Sequence, residues 1–296
     1  MDETNAKPTP AVTQEMIALY DDYTHISLDR RKFMDNLAIL AGSHAAALSI
    51  AGLMAADAHA AGLSAEDDPK LTIETVTYKG ANGTMSGYQA MPKAGGPFGA
   101  VIVIHENRGL NAHIKDVTRR MALEGFVALA PDFLSDQGGT PADEDKARDL
   151  FAKINVGDVV ANAVATVAYL KGLAKANGKV GAIGFCWGGG IANQLAVAAP
   201  DLAAAVAYYG QQPKADQVPR IKARLMLHYA GLDTRIDAGI RDFKAALDKA
   251  GTSYQLFMYE GANHAFNNDT SAARYDKPAA ELAWSRTVGF LKETLG

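Results

Sequence analysis

A chain of 296 residues with 48% hydrophobic residues and a net charge of −4 can bury a large core and falls in the ordinary globular class. Its basic residues are scattered, with no arginine or lysine run interleaved with aromatics, which argues against a nucleic-acid partner. The single cysteine, Cys186, excludes an intrachain disulfide and a thiolate cluster within one chain, and leaves the redox compartment open.

Residues 1–70 differ in character from the rest. A helix-like segment at 14–23 precedes Asp29-Arg30-Arg31-Lys32-Phe33-Met34, which is followed by an alanine-rich apolar stretch at 37–54 and by Ala58-His59-Ala60. Paired arginines, a weakly apolar core and a small-x-small site are the marks of a twin-arginine export signal, which places the protein in the periplasm with Ala60 as the last residue removed. The alternative is a retained helical arm on a cytoplasmic protein, because His44 and serines interrupt the apolar core and about thirty residues precede it. A retained arm needs a surface for its apolar residues, and a homodimer formed through it is the expectation. A stable membrane span is disfavoured by the polar interruptions.

From residue 71 to 296 the chain reads as one catalytic domain. Strands are predicted near 71–78, 85–91, 99–104, 126–130, 178–183, 204–208, 223–229 and 254–259, and helices near 112–123, 142–153, 157–175, 188–198, 237–250 and 277–294. From the third strand onward the two alternate, which specifies a mostly parallel eight-stranded sheet flanked by helices, with no room for a large cap. The loops at 135–141 and 210–213 are placed to rim a pocket.

The chemistry concentrates at Gly184-Phe185-Cys186-Trp187-Gly188-Gly189-Gly190, directly after the apolar run Val180-Gly181-Ala182-Ile183. A strand turning sharply into a helix forces its apex residue into a strained conformation, and the glycines prevent collisions around it. This is a nucleophile elbow with sulfur in place of the usual hydroxyl. The free N–H groups at the start of the following helix favour a thiolate, the reactive form.

In α/β-hydrolases an elbow is followed along the chain by an acid and then a histidine, each on a loop after a later strand. The run Leu225-Met226-Leu227-His228-Tyr229 leads to Asp233, and the strand at 254–259 leads to His264. His228 lies inside an apolar strand and reads as a packed core histidine. An oxyanion hole needs the N–H after the nucleophile, from Trp187, and a second from the loop after an early strand, where His105-Glu106-Asn107-Arg108 stands; Asn107 is the expected donor.

These residues resemble the dienelactone hydrolase (carboxymethylenebutenolidase) family of α/β-hydrolases, over roughly residues 71–294. The likeness rests on Gly-x-Cys-x-Gly-Gly at 184–189, Gly-x-Asp at 231–233, Gly-x-x-His-x-Phe at 261–266 with Phe266, and Glu106. It implies a hydrolase of carboxylic esters or lactones working through a thioester on Cys186, with Asp233 and His264 completing the triad and Glu106 receiving the cysteine proton when substrate binds. It also implies arginines that hold a substrate carboxylate; here Asn268 stands four residues after the histidine, and Ser135-Asp136-Gln137 fills the other place. Uncharged substrates are therefore expected, with Arg108 pairing Glu106 and His105, Phe266 and Asn268 around the site.

No cofactor or metal is called for, since no His-Glu-x-x-His or paired-cysteine spacing occurs and the glycines lack nucleotide-binding spacing. The expected partner is a small ester or lactone. Two other classes fit an activated cysteine or this fold: a thiol redox enzyme, and a non-catalytic binding protein.

Overall fold

Six strands rich in Val, Ile, Leu and Ala run parallel at the centre of the molecule, and four of the five connections between them carry a helix back over the sheet. The computed structural model describes residues 11–25, 29–55 and 62–296. The strands are β1 (Leu71–Lys79), β2 (Thr84–Pro92), β3 (Phe98–Ile104), β4 (Val127–Asp132), β5 (Ala176–Phe185), β6 (Ala204–Tyr208), β7 (Arg224–Ala230) and β8 (Tyr254–Tyr259). They form one sheet in the order β1-β2-β4-β3-β5-β6-β7-β8, with β2 antiparallel to both its neighbours.

The helices are α1 (Gln14–His25), α2 (Arg30–Ala41), α3 (His44–Met54), α4 (Ala112–Leu123), α5 (Glu144–Phe151), α6 (Val156–Lys171), α7 (Trp187–Ala198), α8 (Thr234–Asp237), α9 (Ile240–Ala250) and α10 (Lys277–Leu295). Because strand side chains alternate between faces, Ile102 and Ile104 enter the core beneath α6, α7 and α9, while Val101 and Val103 enter the core beneath α4 and α10. A β3 covered on both faces has to be apolar throughout. The helix expected at 237–250 begins at Ile240, with Gly239 at the N-cap of α9, and the single turn α8 precedes it.

The N-terminal arm has a core of its own. Leu37, Ala47, Ile50 and Met54 are fully buried, and Tyr23 stacks on Phe33 with ring centroids 4.4 Å apart. The apolar stretch at 37–54 is two helices bent by 108°, because Gly42 closes α2 at φ 79° and the Ser43 hydroxyl caps α3 by accepting from Ala46 N–H. Among the described residues no single helix is long and apolar enough to cross a membrane. Arg30 and Arg31 open α2, while Ala58-His59-Ala60 lie outside the described residues.

The rest of the chain covers one side of this arm, while Ile39 and Leu48 on it stay exposed, 78% and 65%. Gln14 Nε2 donates to Asn263 Oδ1 (2.7 Å), Asn107 Nδ2 to the Thr24 carbonyl (2.7 Å) and Ser271 Oγ to the Met54 carbonyl (2.9 Å), while Arg274 pairs with Asp21 at 3.4 Å. Helix α1 is thereby laid across the carboxyl ends of the parallel strands, where open α/β sheets place their sites.

Candidate active site

Cys186 stands between β5 and α7 with φ 55° and ψ −118°, a left-handed conformation that costs a non-glycine residue roughly 1–3 kcal/mol. The neighbouring strands hold it there. Cys186 N–H donates to the Tyr208 carbonyl (3.0 Å), and a Cβ on Gly189 would stand 2.6 Å from that same oxygen. On Gly188 a Cβ would stand 2.5 Å from the Ile104 carbonyl and collide with that of His105. The first turn of α7 is thus wedged between the ends of β3 and β6, which is why glycines follow the cysteine.

Asp233 follows β7 and His264 follows β8. His264 Nδ1–H donates to Asp233 Oδ2 at 2.5 Å, and Asp233 Oδ1 accepts from Ile236 N–H at 3.2 Å, so one carboxylate both orients the ring and caps α8. Burial works against the Asp233 carboxylate, but the bond to His264, the charges of His264 and Arg235 and the Ile236 N–H together outweigh it and hold its pKa below the usual 3.8. Burial likewise disfavours a charged His264; negative charge on the Cys186 sulfur and on Asp233 prevails and raises the ring to about 10. His264 Nε2 is buried and has no hydrogen-bond partner among the described residues.

A residue that sequence reasoning missed occupies the third side of the sulfur. His25, the last residue of α1, places Nε2 at 2.8 Å from Cys186 Sγ, and its ring meets that of His264 edge-on at 4.6 Å. Its Nδ1–H donates to the Asp21 carbonyl at 2.8 Å. Burial and the neighbouring His264 hold its pKa well below 6.5, so the ring is neutral and Nε2 carries only a lone pair. The short contact to sulfur is then a thiol donating to Nε2. A proton on sulfur removes the negative charge that favours imidazolium at His264, so the charged His264 belongs to the state in which the thiolate has formed. Cys186 Sγ and the two Nε2 atoms lie within 4.8 Å of one another, a set that could hold a metal. Motif spacing could not show it, because His25 is 161 residues from Cys186.

The loop after β3 departs from expectation at Arg108. That side chain turns to Asp145 (3.3 Å) and the Tyr20 hydroxyl (3.4 Å), not to Glu106. Glu106 accepts instead from Asn268 Nδ2 at 2.7 Å and lies with Cys186, His264 and Arg274 around a crevice of about 20 Å³ beneath α1. His105 is wholly buried, stacked on Trp187 at 5.5 Å with Nδ1 against the Glu106 carbonyl (2.7 Å), and so supports the loop rather than facing substrate. Phe266 is also fully buried, against Tyr209 and Tyr259 at 5.3 and 4.9 Å. His228 is packed in the core, bonded to Tyr259 and Thr287.

A second cavity of about 300 Å³ opens on the other side of the sulfur, walled by His25, Trp187, Tyr209, Gln211 and Arg235. Trp187 is the first residue of α7 and borders this cavity, while Asn107 borders the crevice; the sulfur lies at both. Arginines absent from the expected positions therefore reach the site from others. Arg235 comes from α8, and Arg274 from the segment before α10, its guanidinium 5.0 Å from the Tyr20 ring centroid.

An eight-stranded mostly parallel sheet carrying an elbow, an acid and a histidine at its carboxyl edge defines an α/β-hydrolase. The model of the dienelactone hydrolase family matches residues 85–295, and the chain belongs to that family as a dienelactone hydrolase-like hydrolase. A second model, described as YqhI-like, matches residues 4–43. The chain is 33% identical over 227 residues to a Methylorubrum extorquens protein named "Putative carboxymethylenebutenolidase", covering 72% of this chain and 78% of that one. It is 37% identical over 218 residues to protein usf of Aquifex pyrophilus, covering 71% and 93% respectively. Among solved structures it resembles a Klebsiella pneumoniae protein titled "Putative Dienelactone Hydrolase" (TM-score 0.69, 29% identity, 75% of this chain and 99% of that one). A dienelactone hydrolase-like promiscuous phosphotriesterase from metagenomic libraries gives TM-score 0.69 at 25% identity, covering 77% of this chain and all of that one.

Proposed function

We propose that the chain hydrolyses carboxylic esters or lactones through a thioester on Cys186. Substrate enters the cavity of about 300 Å³, the Cys186 thiol passes its proton to His264 Nε2, and the sulfur attacks the carbonyl carbon, forming a C–S bond while the carbonyl electrons move onto oxygen. N–H groups of Trp187 and Asn107 stabilise that oxygen. Collapse of the intermediate expels the alcohol, which takes the proton carried by His264, and leaves a thioester. Water deprotonated by His264 then releases the acid and returns the thiol. Asp233 keeps Nδ1 protonated, so that Nε2 faces the reaction. Glu106, beside Cys186 in the crevice, is the further acceptor for the thiol proton.

The observation that carries this reading is the buried His264–Asp233 pair beside a strained cysteine at a strand-to-helix turn. Arg235 makes no ion pair among the described residues and lines the substrate cavity, which supports an acid portion bearing a negative charge, against the expectation of uncharged substrates. Docking of α1 over the site supports a retained arm rather than an export signal.

The test is hydrolysis of p-nitrophenyl acetate in the presence of EDTA, with mass spectrometry of the quenched enzyme. Turnover lost in Cys186→Ala and in His264→Ala, with acetyl found on the Cys186 peptide of the parent, is the expected result. Turnover that survives Cys186→Ala overturns the proposal. Peroxide consumption that persists in His264→Ala identifies a redox enzyme, and the absence of both activities identifies a binding protein.

A further inference from the structure

We propose that Cys186, His264 and His25 form a binding site for a zinc-class divalent cation, and that the bound ion switches the hydrolase off. The switching half rests on the thioester reading above; the site itself does not.

Three segments distant in sequence bring one sulfur and two imidazole nitrogens within 4.8 Å of one another. Each ring has its Nδ1 tied outward to an oxygen, His25 to the Asp21 carbonyl and His264 to the Asp233 carboxylate. Such outer partners fix the tautomer of histidines that bind metals, and here both turn a bare Nε2 toward the sulfur. His264 Nε2 is buried with no partner among the described residues, so it already faces inward as an unused ligand. In a tetrahedral site with Zn–S near 2.3 Å and Zn–N near 2.0–2.1 Å, the ligand atoms stand about 3.5 Å apart. An ion entering here replaces the thiol proton and widens the 2.8 Å contact between Sγ and His25 Nε2 by less than about an ångström.

One thiolate with two imidazoles selects zinc, or cobalt as its spectroscopic substitute, over magnesium or calcium, which prefer oxygen ligands. The fourth position opens to the cavity of about 300 Å³, where water completes the coordination. Silencing follows from the ligands themselves. The sulfur lone pair that must attack the carbonyl and the Nε2 that must move protons are both held by the ion. The arm supplies the third ligand, and the Asn107–Thr24 and Arg274–Asp21 contacts hold it in place.

The full-length chain, stripped with EDTA and desalted, is titrated with Co²⁺ and then displaced with Zn²⁺. One equivalent should produce a near-ultraviolet sulfur-to-cobalt band that is absent in Cys186→Ala. Apparent affinity should fall by about 100-fold or more in His25→Ala and in His25→Gln, since losing even an outer partner of a metal ligand costs 10–100-fold. Ester hydrolysis by the parent should stop with Zn²⁺ and return with EDTA, and each His25 variant, measured against its own metal-free rate, should need correspondingly more zinc for half-inhibition. Magnesium should have no effect. Unchanged cobalt affinity in both His25 variants, or an activity that rises with zinc, overturns the proposal. If the metal-free chain hydrolyses esters and no cobalt band forms, this site fails while the hydrolase stands; if the band forms without hydrolysis, the reverse holds.

Discussion

Replacing Asp233 with Asn tests the site where its electrostatics are strongest. The carboxylate keeps the His264 Nδ1 proton in place and helps raise the ring from 6.5 to about 10. With the thiolate formed, that rise corresponds to roughly 5 kcal/mol in favour of the protonated ring, shared between Cys186 and Asp233. In Asp233→Asn the amide has no charge and can present N–H to Nδ1, which moves the ring proton to Nε2 and stops that nitrogen from accepting a proton. A triad that loses its acid in this way slows by about 10⁴-fold, or roughly 5 kcal/mol of barrier. The assay is steady-state hydrolysis of p-nitrophenyl acetate with EDTA present, alongside the rate of Cys186 alkylation by iodoacetamide, and both should fall.

The same substitution predicts a pH signature in stability. Asp233, held below 3.8, contributes stability above that pH and loses it as pH falls through its folded value; its bond to His264 also raises that ring above 6.5, a contribution complete below 6.5 and lost as pH rises through the ring's folded value. The stability gap between parent and Asp233→Asn should therefore be widest between about pH 4 and 6.5 and should narrow toward pH 10. A turnover number within threefold of the parent, with a gap independent of pH, would refute the reasoning.

Two further substitutions probe the scaffold. Gly188→Ala should destabilise by about 2 kcal/mol or more in urea unfolding, although alanine is the better helix former, because its Cβ meets the backbone carbonyls of Ile104 and His105, which cannot rotate away. Leu37→Ala, in the core of the arm, should cost about 2–5 kcal/mol and appear as faster proteolysis within α1–α3, since Leu37 is fully buried there.

Much of this protein could be read along the chain. The strands after residue 71 were legible because apolar runs such as Ala100-Val101-Ile102-Val103-Ile104 are what a sheet covered on both faces requires. Cys186, Asp233 and His264 were legible because an elbow and the loops after later strands are local features, and their order follows the order of the strands. The bend at Gly42-Ser43 was missed because alanine- and leucine-rich sequence continues on both sides of it, although cap residues mark it.

What surrounds the sulfur was decided only by tertiary structure. Arg108 and Glu106 lie two residues apart, yet Arg108 finds Asp145 and Tyr20 while Glu106 finds Asn268, and neither choice follows from local chemistry. His25, Arg235 and Arg274 carry no motif, and they reach the site because α1 lies over the sheet edge and because α8 and the segment before α10 begin beside it. Sequence periodicity specifies which face of an element is apolar. Which polar side chains then meet above the sheet depends on how the elements dock, and that is settled by packing over the whole molecule.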